Sequence, residues 1–257
     1  MAKKSDEMSM IGHLEELRRV LVVSIVGTTV FAIAAFFFVD QILAALTFPL
    51  KQLGQKVVFI GVTEAILVKI KLSFFVGFLA ALPVILWQVW SFIIPALKKN
   101  ERVYFTLFVL ISFISFVGGV AFGYFGVYRY GVTFLLQFAG PELLPMLTID
   151  KYISFTIPFL FPFGVIFEFP LVSYFLAKLG LVTHSFFARN RRYAILAIVA
   201  LAAIITPTPD IITCLIVSGP MYLLFEISVM IVRIVERRTA RRKQREEMSE
   251  MAEGRFN

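Results

Sequence analysis

The sequence predicts an all-α integral membrane protein that crosses the bilayer six times. Of its 257 residues, 59% are hydrophobic and 29 are Phe, and the mean hydropathy is +0.87, whereas a soluble domain of this size is about half apolar. Several uncharged runs approach the roughly 20 residues that a helix needs to cross a hydrocarbon core of about 30 Å. The Lys and Arg residues are concentrated in particular loops. These observations together predict a polytopic fold.

The first 19 residues predict an amphipathic helix that leads into the membrane. Ile11, Leu14, Leu17 and Leu21 recur at spacings of three and four, which is typical of one apolar helix face. An uncharged run of 20 residues follows directly. We therefore expect a cytoplasmic helix at 1–19 followed by the first span.

The six predicted spans are apolar runs separated by charged or proline- and glycine-containing segments, and they form one membrane domain over 20–232. They cover residues 20–39, 72–94, 103–127, 153–176, 193–205 and 211–232. The fifth run has 13 residues, about 20 Å of helix, so it must borrow flanking residues or thin the bilayer. Residues 233–257 form a charged tail, which we expect to extend the last helix and then to lose order.

The distribution of basic residues predicts the orientation. Nineteen of the 25 Lys and Arg residues fall in segments 1–19, 98–102, 178–192 and 233–257. Because positive charge is retained on the cytoplasmic side, both termini are expected to be cytoplasmic. The net charge of +8 is thereby explained by topology, and no nucleic-acid partner is expected.

Catalytic and metal-binding motifs are absent from the sequence. It contains no phosphate-binding G-x-x-x-x-G-K-[ST], no H-E-x-x-H and no G-x-S-x-G. His13 and His184 are the two histidines, they fall in different inner segments, and Cys214 is the single cysteine. We therefore expect neither an enzyme nor a metal or other cofactor.

Glu168 is the one acidic or basic side chain in the apolar run 153–176. On a helix it lies about 12 Å from Leu176 and about 22 Å from Ile153, well inside the bilayer, where a carboxylate is costly and faces protein or water. Pro170 cannot donate to the carbonyl of Ile166, which predicts a kink beside the carboxylate. Glu168 is either a structural carboxylate or a functional one. A proton- or ion-coupled secondary transporter, with Glu168 as its titrating group, is an alternative function for the chain.

Two further carboxylates lie in the inner segments. Glu15 has Arg19 at i+4, the favourable order for an ion pair, whereas Glu16 has no basic residue at that spacing. Glu101 lies in a short basic loop. If that loop packs beside the first helix, Glu16 and Glu101 form two acidic points that can bind two adjacent guanidinium groups. The alternative is that both are solvated surface charges, and that the basic loops contact anionic membrane lipid.

Five stretches, in chain order, resemble one family. They are His13-Leu-Glu-Glu-Leu-Arg-Arg19, Thr63-Glu-Ala65, Pro83 to Leu97 with Glu101-Arg102, Phe167-Glu-Phe-Pro170, and Pro207 and Pro209 with Asp210. Together they resemble TatC, the twin-arginine translocase component that defines the TatC family of Sec-independent protein translocases. The resemblance runs from about residue 10 to residue 235.

The resemblance implies a receptor for the Arg-Arg motif of export signal peptides, which helps to move folded proteins across a bacterial or archaeal cytoplasmic membrane. It implies a hetero-oligomer with single-span partners of the TatA and TatB type, driven by the proton-motive force. The implied fold is a cupped wall of kinked helices with short fifth and sixth spans.

The resemblance also implies roles for individual residues. The signal-peptide site would contain Glu16 and Glu101 as the acidic pair, with Leu14, Arg18, Arg19, Phe92 and Leu97 around it. The polar residues embedded in the membrane would be Glu168, on the concave side, and Gln88. The outer cap and the partner-docking edge would contain Pro49, Glu64, Thr206 and Asp210.

Overall fold

A computed structural model describes residues 2–55, 57–93, 105–138, 146–206 and 211–253, most of which are helical. Five of the described helical stretches are long and apolar enough to cross a membrane: 14–36, 64–91, 106–134, 149–178 and 211–241. The predicted all-α polytopic fold is confirmed. The predicted fifth span corresponds to a helix of 15 residues, Arg191–Ile205, which is shorter than these five. The count of six spans therefore stays a prediction.

The chain forms two compact units, Met1–Gly164 and Val165–Asn257. In the first unit, α1 (Ala2–Phe36) runs without a break from the amino-terminal segment into the first apolar run. It packs along α4 (Glu64–Ile93), which contains Pro83. The two helices are connected by α2 (Val39–Leu46), α3 (Phe48–Gln52) and the short strand β1 (Val57–Val58).

The packing of α1 against α4 depends on a glycine. A Cβ at Gly77 would lie 2.4 Å from the backbone N and Cα of Ala32, so the two backbones touch at this point. Nearer the other end, a Cβ at Gly27 would lie 3.8 Å from Val84. Residues early in α1 thus face residues late in α4, and the sequence numbers of two facing residues add up to about 110. The helices form an antiparallel hairpin.

The remaining helices of the first unit carry an aromatic core. α5 (Phe105–Phe122) continues through a π-helical segment (Gly123–Tyr128) into α6 (Arg129–Phe138). Strand β2 (Leu147–Thr148) pairs in parallel with β1 and leads into α7 (Ile149–Phe167). Tyr128 is fully buried. Its ring stacks on Tyr124 at 5.9 Å and contacts Tyr152 at 6.1 Å and Phe159 at 5.7 Å between centroids.

The second unit contains α8 (Phe169–Lys178), α9 (His184–Arg189), α10 (Arg191–Ile205) and α11 (Ile211–Glu253). Its core is formed by Phe187, Phe225, Val229 and Val232. The turn that follows α8 contains Gly180, whose φ of +74° suits glycine, and the N–H of Leu181 donates to the carbonyl of Leu176 at 2.9 Å. The predicted helical extension of the tail is confirmed. α11 continues to Glu253.

Candidate functional site

The amino-terminal segment of α1 presents its predicted site residues to the surroundings. Leu14, Glu16, Arg18 and Arg19 are all exposed, and Leu14 retains 62% of its accessible surface. Leu17 and Leu21, on the same apolar face, are also exposed. The segment is therefore an accessible helix that carries both acidic and basic groups.

The α1–α4 register relates this segment to the end of α4. Because both helices rise 1.5 Å per residue, facing numbers that add up to about 110 bring Phe92 to the level of Arg18. Gln88 is half-buried one turn earlier on α4, and its carbonyl accepts a hydrogen bond from the Ser91 hydroxyl at 2.8 Å. The backbone of Phe92 is described but its side chain is not. Leu97 and Glu101 lie in 94–104, outside the described residues.

Glu168 lies where the helix of the fourth predicted span breaks. It separates α7 from α8, and Pro170 is in the first turn of α8. The N–H of Glu168 donates to Val165 at 3.1 Å, and its carbonyl accepts from Val172 at 2.9 Å. The predicted kink beside this carboxylate is confirmed. The side chain is half-buried, and its Oε1 atom is shielded from solvent.

Glu64 organises a cap at the opposite end of the α1–α4 hairpin from Phe92. As the first residue of α4, it accepts hydrogen bonds at Oε2 from the N–H groups of Ile60 at 2.8 Å and Gly61 at 3.2 Å. Its Oε1 accepts from the N–H of Asp150, in the first turn of α7, at 3.1 Å. One carboxylate thus joins a turn and two helix starts, next to the β1–β2 pair.

Other side chains in the cap were not predicted from the sequence. Lys71 Nζ lies 2.6 Å from Asp150 Oδ1 and 3.1 Å from Ser154 Oγ, so a second contact joins α4 to α7. The Tyr124 and Tyr152 hydroxyls donate to the carbonyls of Ala45 and Leu46, at 2.7 and 2.8 Å. These bonds hold the end of α2, and the predicted cap residue Pro49 is buried in the next helix, α3. The signal for Lys71 and Asp150 in the sequence was opposite charges near two helix starts.

Below Lys71, an apolar cavity of about 450 Å³ lies between α4 and α7, with Phe74, Phe78 and Phe161 among its lining residues. The cavity is open to the surface of the protein. Among the described residues, no group of three or more His, Cys, Asp or Glu side chains is placed to hold a metal ion.

The second unit carries a polar contact between the basic segment 178–192 and the sixth predicted span. Arg191 Nη2, at the start of α10, lies 3.1 Å from Glu226 Oε2 on α11, and the Tyr222 hydroxyl donates to Glu226 Oε1 at 2.9 Å. Thr206 terminates α10 and is buried, with its hydroxyl donating to the carbonyl of Ala202 at 2.9 Å. The predicted site residue Asp210 lies in 207–210, outside the described residues.

The architecture and these positions define a multi-pass helical membrane protein. The family model described as Sec-independent protein translocase protein (TatC) matches residues 12–220. The chain belongs to the TatC family and is therefore a component of a protein translocase.

Individual relatives of known family align with this chain over most of their length. The chain is 43% identical over 229 residues to the Sec-independent protein translocase protein TatC of Carboxydothermus hydrogenoformans, covering 89% of this chain and 94% of that protein. It is 37% identical over 235 residues to TatC of Aquifex aeolicus, covering 90% and 97%. A crystal structure of the twin-arginine translocase receptor TatC superimposes with a TM-score of 0.77 at 36% identity, covering 87% of this chain and 99% of that one.

Proposed function

We propose that this chain is the receptor component of a twin-arginine translocase and binds the Arg-Arg motif of signal peptides at its cytoplasmic face. Glu16 and Glu101 form the acidic pair of this site. Leu14, Arg18, Arg19, Phe92 and Leu97 surround it. On this proposal the chain is a binding protein and catalyses no reaction.

The observation that carries the proposal is the register of the α1–α4 hairpin. It brings Phe92 to the level of Arg18, so two stretches that are about 70 residues apart in sequence lie at one end of one hairpin. Glu101 follows Phe92 by nine residues. This spacing is short enough to bring its carboxylate back to α1, since an extended chain spans about 3.3 Å per residue.

The chemistry of the two carboxylates favours paired arginines. Each guanidinium offers two parallel N–H donors that match one carboxylate, which a lysine ammonium does not. Arg18 and Arg19 beside the acidic pair repel a cationic ligand that cannot engage both carboxylates. A site of this kind selects two adjacent arginines over a single one.

The test is binding of a fluorescent Arg-Arg signal peptide to the purified protein in lipid nanodiscs, compared with its Lys-Lys twin. We expect Glu16→Ala and Glu101→Ala each to weaken binding at least tenfold, because a hydrogen bond to a charged group contributes about 1.5–3 kcal/mol. Glu15→Ala, which removes the adjacent carboxylate, is the matched control and should bind normally. Equal affinity for the Lys-Lys peptide, or indifference to both substitutions, would refute the receptor assignment.

We further propose that single-span TatA- and TatB-type partners dock along α10 and α11, and that the proton-motive force drives transport. Support comes from the strongly exposed apolar residues at the end of α10 and the start of α11, among them Ile204 (81%) and Ile211 (77%), on either side of Thr206 and Asp210. Cysteine crosslinking from Leu196 or Leu215 to a partner span tests the docking. Export of a folded reporter before and after addition of an uncoupler tests the energy source. Both termini are cytoplasmic on this proposal.

A further inference from the structure

A cavity of about 190 Å³ lies between the end of α8 and the middle of α11, within the second unit. Its lining includes two basic side chains, Lys178 and Arg238, and the hydroxyl-bearing Tyr174 and Thr239. The aliphatic side chains Ile231 and Ile234 line it as well. The proposed signal-peptide site uses none of these residues.

The arrangement follows from helical spacing on both elements. Tyr174 and Lys178 are one turn apart on α8, so they project from the same face. Ile231, Ile234 and Arg238 recur at three and four residues on α11 and share one face as well. On each helix the cation lies closer to the carboxyl-terminal end than the apolar or aromatic residue does: Lys178 follows Tyr174, and Arg238 follows Ile234. The cavity is therefore amphipathic along its length.

Lys178 is held at the rim of the cavity by Tyr174. Its Nζ lies 3.4 Å from the Tyr174 hydroxyl and 5.6 Å from the centre of the ring. Lys178 and Arg238 are both exposed, and no carboxylate is among the residues that line the cavity. The nearby carboxylate of Glu236 accepts a hydrogen bond at Oε2 from the N–H of His184 at 3.1 Å. The residues that line the cavity therefore contribute two positive charges and no negative charge.

Both cations belong to the segments that the positive-inside rule assigns to the cytoplasmic leaflet, 178–192 and 233–257. Basic pockets between membrane helices on that side accommodate anionic lipid head groups. The aliphatic side chains Ile231 and Ile234 would make no favourable contact with a soluble phosphate ion, whereas they can contact the first methylenes of an acyl chain. The cation–aliphatic gradient matches one phospholipid molecule aligned with the helices.

We propose that this cavity is a binding site for an anionic phospholipid. Its phosphate lies between Lys178 and Arg238, the Thr239 and Tyr174 hydroxyls contribute hydrogen bonds to the head group, and an acyl chain covers Ile231 and Ile234. The bound lipid joins α8 to α11 at the cytoplasmic surface. The site is separate from general attraction of the basic tail to the membrane, because it requires two particular cations.

The test is native mass spectrometry of the full-length protein, stripped of lipid in detergent and titrated with phosphatidylglycerol or with phosphatidylcholine of the same acyl chains. We expect one phosphatidylglycerol to bind preferentially, and the K178Q/R238Q double variant to bind it at least tenfold more weakly. The matched control R189Q/R237Q removes one exposed cation from each of the same two basic segments, neither of which lines the cavity, and it should bind normally.

Three results would overturn the proposal. Equal weakening in the control variant would indicate diffuse electrostatic attraction. Equal binding of phosphatidylcholine would remove the role of the cations, and competition by glycerol phosphate at lipid-like concentrations would make the site one for soluble phosphate. The charge-preserving K178R/R238K variant, together with circular dichroism of each protein, separates loss of the site from loss of the fold, and it should retain lipid.

Discussion

The hairpin of α1 and α4 yields the sharpest test of the fold, at Gly77. A methyl group at this position would lie 2.4 Å from Ala32 Cα and N, whereas carbon atoms in contact are about 3.5–4.0 Å apart. Gly77→Ala must therefore push α1 away by about 1 Å or more, because the obstacle is backbone and has no rotamer to change. Overpacking of this kind costs about 1–3 kcal/mol. For a chain of this length that corresponds to a fall in Tm of about 2–12 °C.

The assay is thermal unfolding in detergent, followed by tryptophan fluorescence, because both tryptophans of the chain are on α4. Gly27→Ala is the control on the same hairpin, since its methyl group would meet Val84 at 3.8 Å, an ordinary contact. That variant should be unchanged or slightly more stable, because alanine favours a helix over glycine. If Gly77→Ala unfolds at or above the Tm of Gly27→Ala, the close backbone contact does not exist and the derived register is wrong.

Three further predictions concern charged side chains. Glu64→Gln keeps the shape of the side chain but weakens its bonds to three backbone N–H groups, so amide hydrogen exchange at Asp150 should accelerate, and an unchanged rate would contradict the role of the carboxylate. A double-mutant cycle on Arg191 and Glu226 should give a coupling of about 0.5–1 kcal/mol in unfolding free energy, as partly exposed pairs do, and zero coupling would show that the contact is incidental. Glu168→Gln should leave Arg-Arg peptide binding intact while transport is measured separately. A secondary transporter would lose transport entirely and show no such binding.

The break at Glu168 illustrates how far sequence reasoning reached. Pro170 lacks the N–H that would donate to the carbonyl of Ile166, so the position of this proline predicts where α7 ends and α8 begins. The long apolar runs likewise predicted where helices lie, since a membrane helix must be apolar over its own length. The start of α4 was not predicted. It begins at Glu64, eight residues before the apolar run from Leu72, and Lys69 and Lys71 within it pair with Asp40 and Asp150.

Some features of the candidate site could also be predicted from the sequence, and others could not. The residue types around Glu16 and Glu101 could be read from the sequence as a candidate arginine-binding pair, and whether the two carboxylates meet stays a prediction. The bond between Glu64 and Asp150 and the cavity with Lys178 and Arg238 could not be predicted from the sequence. Each joins residues 60 to 86 positions apart, and no local pattern encodes such a pairing.

The sequence by itself determined that this chain is a polytopic helical membrane protein, because hydrophobicity and charge act on each segment independently of the others. It also carried enough of the family's motifs to predict membership, which the match of the TatC family model to residues 12–220 confirmed. Only the tertiary structure decided the register of α1 on α4, the ties between helix starts and the amphipathic cavity. These features depend on which small side chains allow helices to approach closely, and on which charged groups lie next to each other once the helices are packed.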